Sequence, residues 1–388
     1  MADLYPKPSR WMDEELIMFD DSVSRFLADC ARPERLARWR EDGIVERAAW
    51  DEMAAAGMLG VSVADKYGGA GGDFRHEAVL IRRLGLAGAE GWGVPLHNAI
   101  CAPYIEKYGT EEQRERWLPK IVSGEFVTAI AMTEPGAGSD LQAIRTSARL
   151  SGNGYAINGQ KTFITNGQHA DLVIVVAKTD PEAGSKGISL IVVETKDADG
   201  FRRGRNLDKI GLEMGDTSEL FFDDVKVPVD NLIGGEAGQG LYQLMKELPK
   251  ERLIIALESL AIIESALTHT LDFVRDRKAF GKRILDFQNT QFKLAECKTE
   301  ATIARSFCDD CVERYLKGEL DAATASMAKY WVSECAQRVV DECLQLFGGY
   351  GYMNEYPIAQ MYKDVRVKRI YGGTTEIMKL LIARTLEA

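Results

Sequence analysis

Several absences narrow what this sequence of 388 residues is able to encode. It has only four histidines, His76, His97, His169 and His269, far apart and without ligand spacing, so no metal centre is expected. No run of about 18 consecutive apolar residues exists, and no membrane span is expected. The acidic, amphipathic start lacks the apolar core of a signal peptide, which points to the cytoplasm. No long Lys/Arg run occurs and the net charge is −11, which argues against a nucleic-acid partner. An anionic ligand would need local basic groups. Arg202-Arg203-Gly204-Arg205 and residues 363–369 offer some, although each also reads as solvated surface. The glycine loop at 67–72 lacks Gly-x-Gly-x-x-Gly spacing and follows no clear strand, so a dinucleotide fold is not supported. The segment 154–162 falls short of a P-loop, because Gln160 separates Gly159 from Lys161 and no helix follows. Ser139 has no nucleophile elbow around it. Internal repeats and low-complexity segments are missing too.

Cysteine is present but unpaired in pattern. Seven thiols, an odd number, scattered over a large chain fit reduced cysteines better than a disulfide framework. Cys308-x-x-Cys311 resembles half a metal or redox motif. However, Leu294, Cys297, Ala301, Ala304, Cys308, Cys311 and Tyr315 share one i, i+3/i+4 stripe, which makes these thiols core residues of a helix.

What the sequence does have is a change of period. Residues 1–128 read as a helical domain. Within it, amphipathic stretches cover 13–30, 45–56 (stopping at Gly57) and about 76–84, and a capping box at Thr110–Gln113 opens a helix to about 122. Residues 129–235 switch to period two, with strands near 155–161, 172–177, 187–193 and 219–227 and turns at 151–154 and 197–200. An antiparallel β-domain of the middle third is expected. Residues 236–388 return to helices, at 239–275, 289–316, 320–347 and 375–386, all with apolar stripes, and predict a four-helix bundle. The fold class is therefore α+β, in three parts, as the length also suggests.

Two neighbouring segments concentrate the chemistry. Ala131-Met132-Thr133-Glu134-Pro135-Gly136-Ala137-Gly138-Ser139-Asp140 combines proline, glycine and short oxygen-bearing side chains, which let the main chain approach a ligand closely. Gln160-Lys161-Thr162-Phe163-Ile164-Thr165-Asn166-Gly167 follows it, and a third stretch runs from Gln345 through Gly348-Gly349-Tyr350 to Tyr371-Gly372-Gly373-Thr374-Thr375-Glu376. Together with the helix–β–helix order, these segments resemble the acyl-CoA dehydrogenase family over essentially the whole chain. The resemblance implies FAD, an acyl-CoA substrate and α,β-dehydrogenation to the trans-2-enoyl thioester. It also implies electron delivery to an electron-transfer flavoprotein and a homotetramer built as a dimer of dimers. By the same resemblance Met132, Thr133, Gly138, Ser139, Phe163 and Thr165 contact the flavin, with Phe163 where the family usually has Trp. Arg277, Phe280 and Gln288 match the segment that reaches a neighbouring subunit's FAD. Gln345, Gly349, Thr374 and Glu376 match adenine and pyrophosphate contacts, and Ser139, Arg252, Tyr371 and Gly372 match positions at the substrate.

That reaction needs a base beside the thioester α-carbon, donors to the thioester oxygen, and a β-hydrogen facing the flavin with water excluded. In short- and medium-chain relatives the base sits in a Tyr-Glu-Gly-Thr motif. Here the matching residues are Tyr371-Gly372-Gly373-Thr374, so position 372 supplies no carboxylate. Long-chain and isovaleryl-type relatives carry it on an earlier helix, which matches Leu248-Pro249-Lys250-Glu251-Arg252-Leu253. Spacing supports this independently, because Leu244, Leu248, Glu251 and Ile255 fall on one apolar stripe. An unpaired carboxylate there is expected to have a raised pKa, which suits a general base. The competing reading is a surface pair of Glu251 with Lys250 or Arg252. Gly372 keeps its main-chain N–H as a donor to the thioester oxygen, and its missing side chain suggests extra room for a bulkier acyl group. Two other readings keep the fold: an oxidase-like flavoprotein passing electrons to oxygen, and a non-catalytic acyl-CoA-binding relative.

Overall fold

A computed structural model describes residues 8–386; the first seven residues, part of the start that lacks a signal-peptide core, lie outside them. Asp13 accepts the Leu16 N–H and opens α1 (Glu14–Cys30). Pro33 at the first helical position and left-handed Gly43 bound α2 (Pro33–Asp42), a mostly charged helix that the apolar pattern does not reveal. Next come α3 (Arg47–Ala55), ending just before Gly57, and α4 (Phe74–Leu86). A short α5 (Val94–Leu96) passes through one π-helical turn at His97–Cys101 into α6 (Ala102–Tyr108). The expected capping box opens α7 (Glu111–Val122). The Gln113 N–H donates to Thr110 Oγ1 at 3.3 Å, and the Thr110 N–H to Gln113 Oε1 at 3.0 Å.

The middle part is a seven-stranded sheet: β1 (Thr128–Ala131), β2 (Ser147–Ser151), β3 (Gly154–Thr165), β4 (Leu172–Lys178), β5 (Ile188–Glu194), β6 (Phe201–Asn206) and β7 (Thr217–Pro228). Most pairings are antiparallel, but the sheet is mixed where a purely antiparallel one is expected. β1 runs parallel to β4, and Ser147 of β2 pairs in parallel with Lys178. The cause is the excursion over residues 132–171. It holds the β2–β3 hairpin and returns the chain to the sheet in its original direction. Leu172, Ile174 and Val176 of β4 face the helices α6 and α7, while Val173, Val175 and Ala177 join the core on the sheet's other side. With both faces covered, β4 and β5 read as nearly unbroken apolar runs.

The third part begins with α8 (Gly240–Asp276), followed by a small hairpin of β8 (Lys278–Ala279) and β9 (Lys282–Arg283). Then follow α9 (Gln288–Leu316), α10 (Ala322–Phe347), α11 (Pro357–Asp364) and α12 (Thr375–Ala383). The last of these is shorter than its stripe implies and ends in a 3-10 turn at Arg384–Leu386. α8 packs on α4 as well as on α9 and α10, so one apolar core runs from the N-terminal helices into the bundle. An 18-residue window of α8 is long and apolar enough to cross a membrane, yet 83% of that window is buried inside the protein, where a central core helix belongs. The cysteines at 297, 308 and 311 are buried along α9, as the stripe requires.

Candidate active site

The apolar stripe on α8 carries Glu251 into the interior, where it is only 6% exposed. The surface-pair reading therefore fails. Lys250 turns instead to Glu247, at 3.1 Å, and Arg252 Nη1 donates to Ser326 Oγ at 3.3 Å. Glu251 Oε1 accepts a 2.8 Å hydrogen bond from Tyr104 on α6. Burial raises the carboxyl pKa above its usual range and nearby Glu247 adds to the rise, while the Tyr104 bond, Lys250 and Arg252 oppose it. This is the direction expected of a base poised near neutral pH.

Tyr104 reaches α8 because the π-helical turn before it is anchored to the sheet. His97 Nδ1 accepts the Thr128 N–H at 3.2 Å, which leaves Nε2–H to donate to the Ile121 carbonyl at 3.1 Å. Burial holds this imidazole neutral, with its pKa down to about 4. One ring thus ties the turn to β1 and α7. π-Helical turns occur often at functional sites.

Gly372 packs against Ile255, which lies one helical turn along α8 from Glu251. A Cβ added at Gly372 would overlap Ile255 Cδ1, and φ is +62°, in the left-handed region. The extra room expected beside Gly372 is therefore filled by Ile255. No hydrogen bond among the described residues engages the Gly372 N–H, which leaves the donor free. The turn around it is held from three sides. Lys329 Nζ donates to the Gly373 carbonyl at 2.6 Å, and Tyr371 Oη and Lys368 Nζ donate to Glu258 Oε2 at 2.7 and 2.8 Å. The Tyr371 hydroxyl is thus committed to the protein. Gly372→Ala is expected to destabilise by about 1–3 kcal/mol through strain and overlap, and Ile255→Val should restore part of it. An unchanged melting temperature in the single variant would contradict this packing.

The two segments in the middle part are clamped together by a pair that sequence reasoning missed. Lys161 Nζ donates to Glu134 Oε1 at 2.9 Å and to the Met132 carbonyl at 3.0 Å, and Thr162 N–H donates to the Thr133 carbonyl. Glu134 also accepts the Arg145 and Thr146 N–H groups at 2.6 and 2.9 Å. Burial pulls Lys161 down to about 8; it also works against the Glu134 carboxylate, but the lysine and these donors hold that group below its usual pKa. A lysine inside a strand run asks for a carboxylate, and that was the available signal.

Above this clamp β3 loses its register between Lys161 and Ile164. Phe163 adopts φ +61° and is 67% exposed. A bulky residue in the left-handed region and facing outward marks a site where strain is retained for contact. Asn166, also at positive φ, donates to the Gly93 and Thr128 carbonyls and locks the loop beyond. Met132, Thr133 and Thr165 are half-buried around this edge; Gly138 and Ser139 are exposed.

A second group forms on the bundle. Arg277, Gln345 and Gly349 line one cavity of about 550 Å³ with Phe273, Ile284 and Tyr350, and the Arg277 guanidinium lies 5.1 Å from the Tyr350 ring centre. Phe280, at the tip of the β8–β9 hairpin, has φ +52° and is 95% exposed, and Gln288 is exposed at the start of α9. Thr374 caps α12 by accepting the Ile377 N–H, while Glu376 sits exposed in the first turn. An exposed aromatic above a glycine-lined edge and an arginine-lined cavity fit the isoalloxazine and the phosphate-bearing parts of a flavin dinucleotide.

Comparison with known proteins identifies the family. Family models match for the acyl-CoA dehydrogenase N-terminal domain at residues 13–125, the middle domain at 129–225 and the C-terminal domain at 238–387. The long-chain specific acyl-CoA dehydrogenase of Mus musculus is 47% identical over 379 residues, 97% of this chain and 87% of that protein. A solved acyl-CoA dehydrogenase from Geobacillus kaustophilus superposes with a TM-score of 0.95 at 48% identity, covering 98% of this chain and 100% of that one. A glutaryl-CoA dehydrogenase from Mycobacterium smegmatis solved in complex with FADH2 has a TM-score of 0.90 at 27% identity, covering 97% of this chain and 95% of that one. The chain belongs to the acyl-CoA dehydrogenase family, oxidoreductases acting on the CH–CH bond of acyl-CoA, with long-chain and isovaleryl-CoA dehydrogenases among its relatives.

Proposed function

We propose that the protein is an FAD-dependent dehydrogenase of straight, long-chain acyl-CoA thioesters, with Glu251 as the base. The observation that carries this reading is a carboxylate buried on an apolar helix stripe, free of any cation at ion-pair distance among the described residues and one turn from the Ile255 that packs against Gly372. Bound FAD supplies the two-electron acceptor, held by Met132, Thr133, Phe163 and Thr165 on one side and by groups such as Arg277, Gln345 and Gly349 on the other. These two sets lie on different parts of the chain, which fits a cofactor shared across a subunit boundary in a homotetramer. The exposed Phe280 hairpin fits the same boundary.

The protein's own residues meet the demands of α-proton removal. Glu251 takes the α-proton, and the Gly372 N–H donates to the thioester oxygen as negative charge gathers there. Ile255 closes the space beside Gly372, so a straight chain fits better than one branched near the thioester. Its relatedness to a long-chain enzyme supports the same class. Electrons are expected to pass on to an electron-transfer flavoprotein. The purified protein should be yellow and bleach anaerobically when long-chain acyl-CoA is added. A colourless protein would favour an acyl-CoA-binding role, and rapid peroxide formation in air would favour an oxidase.

A further inference from the structure

We propose that Tyr104 is a positioning residue for the base: its hydroxyl, donating to Glu251 Oε1 at 2.8 Å, fixes the carboxylate so that Oε2 is the oxygen presented to the acyl α-carbon. The proposal rests on Glu251 being that base.

The geometry gives Tyr104 this task and offers no substitute. Among the described residues Oε2 accepts no hydrogen bond, and Tyr104 is the sole donor to Oε1. The groups facing the carboxylate are Glu247, Lys250 and Arg252 from α8, Cys101 from the π-helical turn and Tyr104 from α6. Both cations are engaged elsewhere, Lys250 with Glu247 and Arg252 with Ser326. The Cys101 thiol is pushed up to about 12 by burial and stays neutral. Burial and the adjacent carboxylate likewise keep the Tyr104 phenol protonated, so it remains a donor across the working pH range. A buried carboxylate without a paired cation depends on such a neutral donor to stay ionised.

Tyr104 is itself fixed. It is fully buried, its ring lies 6.2 Å from that of Tyr108, and the turn that leads into its helix is tied to β1 and α7 through His97. The hydroxyl can therefore hold the carboxylate in one orientation while substrate arrives.

The test is the pH dependence of anaerobic flavin reduction by saturating long-chain acyl-CoA, measured on the FAD-loaded enzyme. The rate falls at acid pH as Glu251 takes up a proton. Tyr104→Phe removes a bond that favours the charged form, so the pKa rises and the acid limb moves to higher pH by about one unit. Above that limb the rate is expected to stay within ~10-fold, because the base itself is intact. Replacing Tyr104 with 3-fluorotyrosine, a stronger donor of nearly the same size, should move the limb the other way. This substitution carries the test if Tyr104→Phe does not fold. A limb that stays in place would overturn the proposal. Glu251→Gln separates the two ideas. If that variant reduces its flavin as fast as the parent, the base assignment has failed. An inactive Glu251→Gln with an unmoved limb in the tyrosine variants means that only the role of Tyr104 has failed.

Discussion

Glu251→Gln is expected to retain FAD and bind acyl-CoA, yet to reduce its flavin at least ~10³-fold more slowly. The size follows from what the substitution removes. Glutamine keeps the shape and an acceptor for the Tyr104 hydroxyl, so packing around α8 should barely change. It cannot accept the α-proton, and no other carboxylate replaces it where position 372 is glycine. Stopped-flow absorbance of the flavin checks the rate, and equilibrium binding checks that affinity survives. Undiminished reduction in the variant would move the base elsewhere.

Lys161→Met is expected to cost about 3 kcal/mol of stability and to weaken FAD retention. The substitution leaves Glu134 buried, with a side-chain exposure of 6%, and without its cation. Only the backbone donors at Arg145 and Thr146 remain to it. Because Lys161 also holds the Met132 carbonyl, the two segments should separate at the edge where Phe163 projects. Removing both charges in Glu134→Gln with Lys161→Met should recover most of the loss, since no buried ion is then left unpaired. Thermal melts with and without added FAD measure both effects. A single variant as stable as the parent would show that the pair holds nothing together.

How far the sequence disclosed this site depended on distance along the chain. The stripe through Leu244, Leu248, Glu251 and Ile255 is local, and its spacing alone places the glutamate inside. The capping box at Thr110, the cysteine stripe on α9 and the long helices are local in the same way. Tyr104 lies 147 positions from Glu251, in a run with no periodic signature linking the two. Ile255 fills the space beside Gly372 from 117 positions away by their numbering, and a missing side chain reads as a void when its distant neighbour is out of view. β2 and β6 escaped because their exposed, charge-bearing strands show little apolar alternation. The parallel pairing of β1 with β4 depends on where a 40-residue excursion re-enters the sheet, which strand periodicity does not encode.

The claim on which the rest depends is that Glu251 removes the α-proton, and it can be tested apart from any redox step. In D2O, the protein would be incubated with a straight, long-chain acyl-CoA analogue that has a sulfur atom in place of the β-carbon and so carries no β-hydrogen to transfer. NMR would then follow the α-hydrogens. The account predicts that the parent enzyme replaces them with deuterium and Glu251→Gln does not. Equal exchange by both proteins would contradict it.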